Sequence, residues 1–113
     1  MADDCLFCRI VRKEIPAAVV LSDDHVVAFR DINPQAPVHV VIVPREHVAS
    51  LNDATDAEML GRLSFAEVEI AKREGIAESG YRTVVNTNRA AGQTVFHVHL
   101  HLIGGRSLAW PPG

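Results

Sequence analysis

Near the C-terminus, Gln93-Thr94-Val95-Phe96-His97-Val98-His99-Leu100-His101-Leu102-Ile103-Gly104-Gly105 carries three of the chain's six histidines in strict alternation with apolar residues. Side chains alternate across a strand, so the spacing predicts His97, His99 and His101 on one face and Phe96, Val98, Leu100 and Leu102 on the other. The apolar row requires a core. The histidine row then faces a cleft or solvent over roughly 13 Å, at about 3.3 Å per residue. One histidine on the wet side of a strand carries little information. Three together point to chemistry, because histidine titrates near neutral pH, acts as a nucleophile and ligates metals.

The rest of the chain bounds what that chemistry serves. A length of 113 residues is one domain, able to bury about two-thirds of its unfolded surface. Fourteen acidic against eleven basic residues leave a formal charge of −3 with no basic run, which argues against a nucleic-acid polymer as partner. Met1-Ala2-Asp3-Asp4 is acidic where a signal peptide is basic, and no apolar run approaches the roughly 20 residues that span a bilayer. These features predict a soluble, cytoplasmic protein. Cys5 and Cys8, the only cysteines, are too few and too local to staple a secreted fold.

In chain order, Leu6, Phe7, Ile10 and Val11 lie at helical spacing before Pro16 stops the helix. Cys5 and Cys8 sit one turn apart within it, either as two small buried hydrophobes or as half of a metal or redox site, since a closed zinc site takes four ligands. Val19-Val20-Leu21 and Val26-Val27-Ala28-Phe29 flank the polar turn Ser22-Asp23-Asp24-His25 and predict a hairpin. Asp31 to Pro37 reads as a loop. Val38 to Pro44 is β-branched and nearly all apolar, a central strand that His39 interrupts, either as a satisfied core histidine or as a fourth imidazole for the same cleft. His47 follows the strand. Thr55-Asp56-Ala57-Glu58 fits a capping box with Thr55 as N-cap, and Gly75 is placed to close the helix. Within 55–75, Met59, Leu60, Leu63, Ala66 and Ile70 form the main apolar face, and Gly61, Phe65 and Val68 lie roughly opposite. A helix apolar on two sides is covered on two sides, which in so small a chain predicts a homodimer. Tyr81 to Asn86 reads as a strand and Thr87 to Thr94 as a turn, in which Gly92 lets the backbone approach a ligand and N–H groups beside Asn86, Gln93 and Thr94 suit phosphate oxygens. An extended tail, 106–113, carries the only tryptophan, Trp110, and two prolines.

Clustered imidazoles either bind a metal for hydrolysis or attack phosphorus directly while their neighbours hold oxygens and manage protons. No acidic cluster accompanies the triplet, and Gly92-Gln93-Thr94 supplies neutral donors, which favours phosphorus. His97-Val98-His99-Leu100-His101-Leu102 resembles the signature of the histidine triad (HIT) superfamily. The similarity runs over nearly the whole chain: Ile15-Pro16-Ala17, Phe29 to Pro37, Val38-His39, Gly92-Gln93-Thr94-Val95 and Trp110-Pro111-Pro112-Gly113 resemble the Hint branch, the nucleoside phosphoramidate hydrolases.

That resemblance implies a single α+β domain over 1–113, with an antiparallel sheet of about five strands, a short N-terminal helix and one long helix, paired into a homodimer through the 55–75 helix and the 106–113 tail. It implies His99 as the nucleophile that takes the nucleotidyl group before water releases AMP or GMP. His101 and His39 would contact phosphate and shuttle protons. Asn86, Gly92, Gln93 and Thr94 would hold phosphate and ribose oxygens, Asp31 the ribose hydroxyls, and Phe7, Ile10, Phe29 and Ile32 the base. Trp110 would reach the neighbouring subunit's site. In bacterial relatives with a similar CxxC, the resemblance implies a structural zinc on Cys5, Cys8, His47 and His97 and no catalytic cofactor. Three other readings compete: a nucleotide-binding regulator, a hydrolase with a catalytic zinc on the triplet, and a dinucleoside polyphosphate hydrolase.

Overall fold

A computed structural model describes residues 4–113; the acidic Met1-Ala2-Asp3 start lies outside the described residues. The chain runs α1 (Leu6–Val11), β1 (Val19–Ser22), β2 (Val26–Arg30), β3 (Val38–Pro44), α2 (Ala57–Arg73), β4 (Tyr81–Val84) and β5 (Leu100–Gly104), with single 3-10 turns at Leu51–Asp53 and Arg89–Ala91. The five strands form one sheet in the order β1-β2-β3-β5-β4, every neighbouring pair antiparallel. β5 thus enters between β3 and β4, which puts its histidine beside His39.

Both faces of the sheet are covered. On one, Leu63, Ala66, Ile70 and Ala71 of α2 pack on Val40 and Ile42 of β3 and Leu100 and Leu102 of β5. On the other, Phe7 of α1 packs on Val27, Phe29, Val41 and Val43, with the Phe7 and Phe29 rings edge to face at 5.4 Å. β3 is buried at all seven positions, which is why its sequence is a near-continuous apolar run instead of an alternation. His39 is its one buried exception, at 6 % exposure.

α2 differs from expectation at its start. The N-cap is Asp56, not Thr55: the Asp56 carboxylate accepts from the Glu58 and Met59 N–H groups at 3.0 and 3.3 Å. A carboxylate at this position also meets the positive end of the helix dipole, an advantage that a threonine hydroxyl lacks. Glu58 turns instead to Arg62, one turn on. The other end behaves as the sequence indicates. Gly75 takes φ +75°, its N–H donates to the Lys72 carbonyl and that of Ile76 to Ala71, a Schellman closure sealed by buried Ile76. Glu67, charged and so expected at the surface, is buried at 5 % exposure and accepts from the Thr83 hydroxyl of β4 at 2.7 Å. Burial pushes its carboxyl up, against that hydrogen bond. The second apolar stripe is open: Phe65 is 79 % and Val68 39 % exposed.

The histidine strand is shorter than its alternation predicts. β5 begins only at Leu100, because the preceding backbone bonds elsewhere: the Val98 N–H donates to the Val48 carbonyl, and the His97 carbonyl accepts from its neighbour's ring, His99 Nδ1, at 2.7 Å. Phe96, expected in the core, is 47 % exposed, while Val98, Leu100 and Leu102 are buried as expected. β4 likewise stops at Val84, short of the expected Asn86.

Candidate functional site

The three alternating histidines serve two adjacent sites. His97 belongs to the first, where Cys5, Cys8, His47 and His97 converge with one ligand atom each within 4.8 Å of the others. Cys5 caps α1, its Sγ accepting from the Cys8 N–H at 3.4 Å, so the first helical turn brings both sulfurs together. His97 is fully buried, and its Nε2–H donates to the Pro44 carbonyl at 2.8 Å. That bond fixes the tautomer and leaves the Nδ1 lone pair directed at Cys5 Sγ (3.5 Å) and Cys8 Sγ (3.4 Å). His47 Nδ1 lies 3.2 Å from Cys8 Sγ. Tetrahedral zinc with ordinary bond lengths separates sulfur and nitrogen ligands by about 3.5 Å. The donor set, the tautomer and the spacing therefore all fit a closed Cys₂His₂ zinc centre.

His99 and His101 belong to the second site, a cavity of about 840 Å³ over the α1 face of the sheet. His99 Nδ1 is 2.7 Å from the His97 carbonyl. A carbonyl only accepts, so Nδ1 carries the proton and Nε2 keeps a free lone pair. The ring is held edge to face against Phe7 at 5.0 Å and against His101 at 4.9 Å. Burial pushes the pKa of His99 down, against that carbonyl bond, which favours the neutral ring with its lone pair on Nε2.

His39 and His101 form a pair across β3 and β5, His39 Nε2 lying 2.9 Å from His101 Nδ1. Burial and the neighbouring His99 and His39 push the His101 pKa down to about 4, against the pull of Asp31. Asp31 stands beside the pair, its Oδ2 3.3 Å from His39 Nε2 and 3.9 Å from His101 Nδ1. Asp31, His39 and His101 are near enough to one another to suggest a second metal, but the hydrogen bonding argues otherwise. The Gln35 N–H donates to His39 Nδ1 at 3.0 Å, which puts the His39 proton on Nε2 and removes the lone pair a metal would need there.

Most of the residues singled out in the sequence line this cavity: Phe7, Ile10, Phe29, Asp31, Ile32, Asn86, Gly92, Thr94, His99 and His101. His39 stands behind His101. Gln93 does not line it. Its side chain is buried, accepting from the Asn88 N–H and donating to the Ala49 and Val95 carbonyls, so its amide locks the turn that presents Gly92 and Thr94. Trp110, 80 % exposed, also lies outside the cavity lining; Arg82 stacks over its ring at 5.9 Å. The residues missed from spacing alone are Leu6, Ile15 to Ala18, Arg30, Val41 and Val95, which wall the cavity, and the backbone groups of Gln35 and Pro44 that set the histidine tautomers. A backbone donor has no side-chain signature.

A five-stranded antiparallel sheet bearing paired histidines on such a cavity defines a class, and the chain is a member of the HIT family: the HIT domain model matches residues 12–108. It is 50% identical over 110 residues to the purine nucleoside phosphoramidase of Escherichia coli K12, covering 96% of this chain and 92% of that protein. Among solved structures, a HIT family hydrolase from Legionella pneumophila superposes with a TM-score of 0.95 at 50% identity, over 97% of this chain and 100% of that one. A zinc-bound histidine triad family protein from Mycobacterium smegmatis superposes with a TM-score of 0.83 at 31% identity, over 91% and 76%. The chain is thus related to hydrolases. No helix among the described residues is long and apolar enough to cross a membrane.

Proposed function

We propose that this protein hydrolyses purine nucleoside phosphoramidates, releasing an amine and AMP or GMP through a nucleotidyl group carried on His99. The observation that carries this reading is the His99 Nδ1–H to His97 carbonyl bond, which leaves Nε2 as a bare nucleophile beside the cavity. Identity with a phosphoramidase supports the substrate class. The His99 Nε2 lone pair attacks phosphorus, and the P–N bond breaks with its electron pair passing to nitrogen. As the anionic substrate binds, His39 Nε2–H turns to Asp31 Oδ2 at 3.3 Å. His101 takes up a proton on Nδ1, facing the same carboxylate at 3.9 Å, and passes its Nε2 proton to that nitrogen, since an amine leaves poorly unless protonated. Water then attacks phosphorus and returns its proton to the pair, the bond to His99 breaks, and the monophosphate departs. Asp31, between the pair and the cavity, takes the ribose hydroxyls; Phe7, Ile10, Phe29 and Ile32 hold the base; Gly92, Thr94 and Asn86 offer donors to phosphate.

Cys5, Cys8, His47 and His97 hold a structural zinc, which ties α1 to the start of the histidine segment. The exposed Phe65 and Val68 stripe of α2, with the tail, pairs two copies and brings Trp110 toward the partner's cavity. Sedimentation velocity checks this: the wild type runs as a dimer and Phe65→Glu as a monomer, and a monomeric wild type overturns it. A cytoplasmic location suits two cysteines kept as metal ligands.

The functional test is release of AMP from an adenosine phosphoramidate of a simple amine, followed by chromatography. Rapid release, with diadenosine polyphosphates turned over more slowly, is the expected result. Preferential cleavage of diadenosine polyphosphates transfers the same nucleophile to a different leaving group, and binding without release makes the protein a nucleotide-binding regulator.

A further inference from the structure

The tail is connected to the triad through the backbone of Gln35, which is hydrogen-bonded on both sides. Arg106, its first residue, donates from Nε to the Gln35 carbonyl at 3.1 Å. The Gln35 N–H donates to His39 Nδ1 at 3.0 Å, and His39 Nε2 meets His101 Nδ1 at 2.9 Å. Arg106 holds the Gln35 backbone in place, and from the Gln35 N–H onward each bond fixes the next. A backbone N–H can only donate, so His39 Nδ1 accepts and the proton sits on His39 Nε2; that N–H donates to His101 Nδ1, and His101 is left with its proton on Nε2. His101 lines the cavity, so the result is a neutral N–H donor beside the place where a phosphoryl group reacts.

The loop is built to hold this arrangement. Asp31 Oδ1 accepts from the Asn33 N–H and the Gln35 amide donates to the Asn33 carbonyl, while Pro34 and Pro37 stiffen the segment. On the tail side, Gly105 takes φ +91° and passes so close to Pro37 that a Cβ would lie 3.0 Å from the proline Cβ. Only glycine suits that backbone and that approach. The turn it makes leads directly to Arg106.

We propose that Arg106 is a positioning residue for the phosphoramidase reaction: by holding the Gln35 carbonyl it keeps the Gln35 N–H, which sets the tautomers of His39 and His101, aimed at His39, and so makes the seating of the tail a condition of full activity. The kinetic part rests on the reading of the protein as a phosphoramidate hydrolase; the tautomer part does not, and is measured without substrate.

The test combines ¹⁵N-resolved histidine ring spectra with steady-state kinetics on wild type, Arg106→Ala and Arg106→Lys. Wild-type His39 is expected as a pure Nε2–H tautomer. In Arg106→Ala it becomes a mixture, and kcat falls about five- to tenfold, the equivalent of one lost hydrogen bond, with KM nearly unchanged. Arg106→Lys, which still offers a donor to the Gln35 carbonyl, recovers part of both. A wild-type His39 protonated on Nδ1 overturns the proposal without any assay, as does an Arg106→Ala protein with wild-type spectra and kcat. A fall in KM-dependent terms alone, with tautomers unchanged, assigns Arg106 to substrate binding and also overturns it. If wild type releases no amine at all, the functional reading fails while the spectra still decide the tautomers.

Discussion

Replacing His99 by alanine is expected to lower the release of AMP from an adenosine phosphoramidate by at least about 10⁴-fold while AMP binding persists. The size follows from the role. Losing the attacking group of a covalent mechanism removes the pathway, whereas losing a hydrogen bond to phosphate costs one to two factors of ten. Binding persists because most of the cavity is walled by apolar residues and by donors from the 86–94 turn. His99 is 6 % exposed, and its removal leaves the His97 carbonyl without its ring partner, a cost of about 1–3 kcal/mol in stability. Circular dichroism on the variant therefore belongs beside the kinetics, and a folded, AMP-binding, inactive protein is the expected result. An alkaline quench of the wild type during turnover should show a nucleotidyl adduct on the peptide containing His99, absent from the variant. Full activity in His99→Ala removes the covalent mechanism altogether.

How far this was legible in the sequence depends on whether side chains or backbone carry the information. The hairpin of β1 with β2, the Gly75 helix end and the buried β3 followed from apolar runs and turn residues, because those elements are stabilised by the periodicity that the sequence displays. The alternation in His97 to Leu102 correctly separated the apolar row from the histidines. It overstated the strand, since the Val48 carbonyl and the His99 ring take up backbone groups that a ladder would use. Alternation reports the face of each side chain and says nothing of its backbone's partner. Glu67 was invisible for a related reason: a helical pattern assigns a glutamate to solvent unless the strand beneath supplies a donor, and Thr83 lies on a strand sixteen residues away. The same limit applies inside the candidate site. Which imidazoles cluster could be inferred from their spacing and the resemblance, but which nitrogen of each carries a proton depends on the Pro44, His97 and Gln35 main chain. Those three backbone groups separate the proposed metal ligand from the proposed nucleophile and relay.

That separation bears on the second large expected effect, removal of metal. A closed Cys₂His₂ centre joining α1 to His47 and His97 would stabilise the folded state by its binding free energy over any affinity for the unfolded chain. Stripping zinc with a strong chelator, or substituting Cys8→Ala, is expected to cost at least about 3 kcal/mol, lowering the thermal midpoint by more than about 10 °C in a domain of this size. Elemental analysis should find one zinc per chain before treatment and none after. Activity should decline only as the circular dichroism signal is lost, because the four ligands are distinct from His99, His101 and His39. A chelated protein that keeps its fold but loses turnover would instead assign metal to the triad. That outcome would require His39 to release the Gln35 N–H and free its Nε2, a change visible in the same ring spectra. If no zinc copurifies and neither chelator nor Cys8→Ala shifts the midpoint, Cys5 and Cys8 are a half-buried and a buried thiol hydrogen-bonded to His97 and His47. The His97 tautomer set by Pro44 then serves only to present the carbonyl that orients His99.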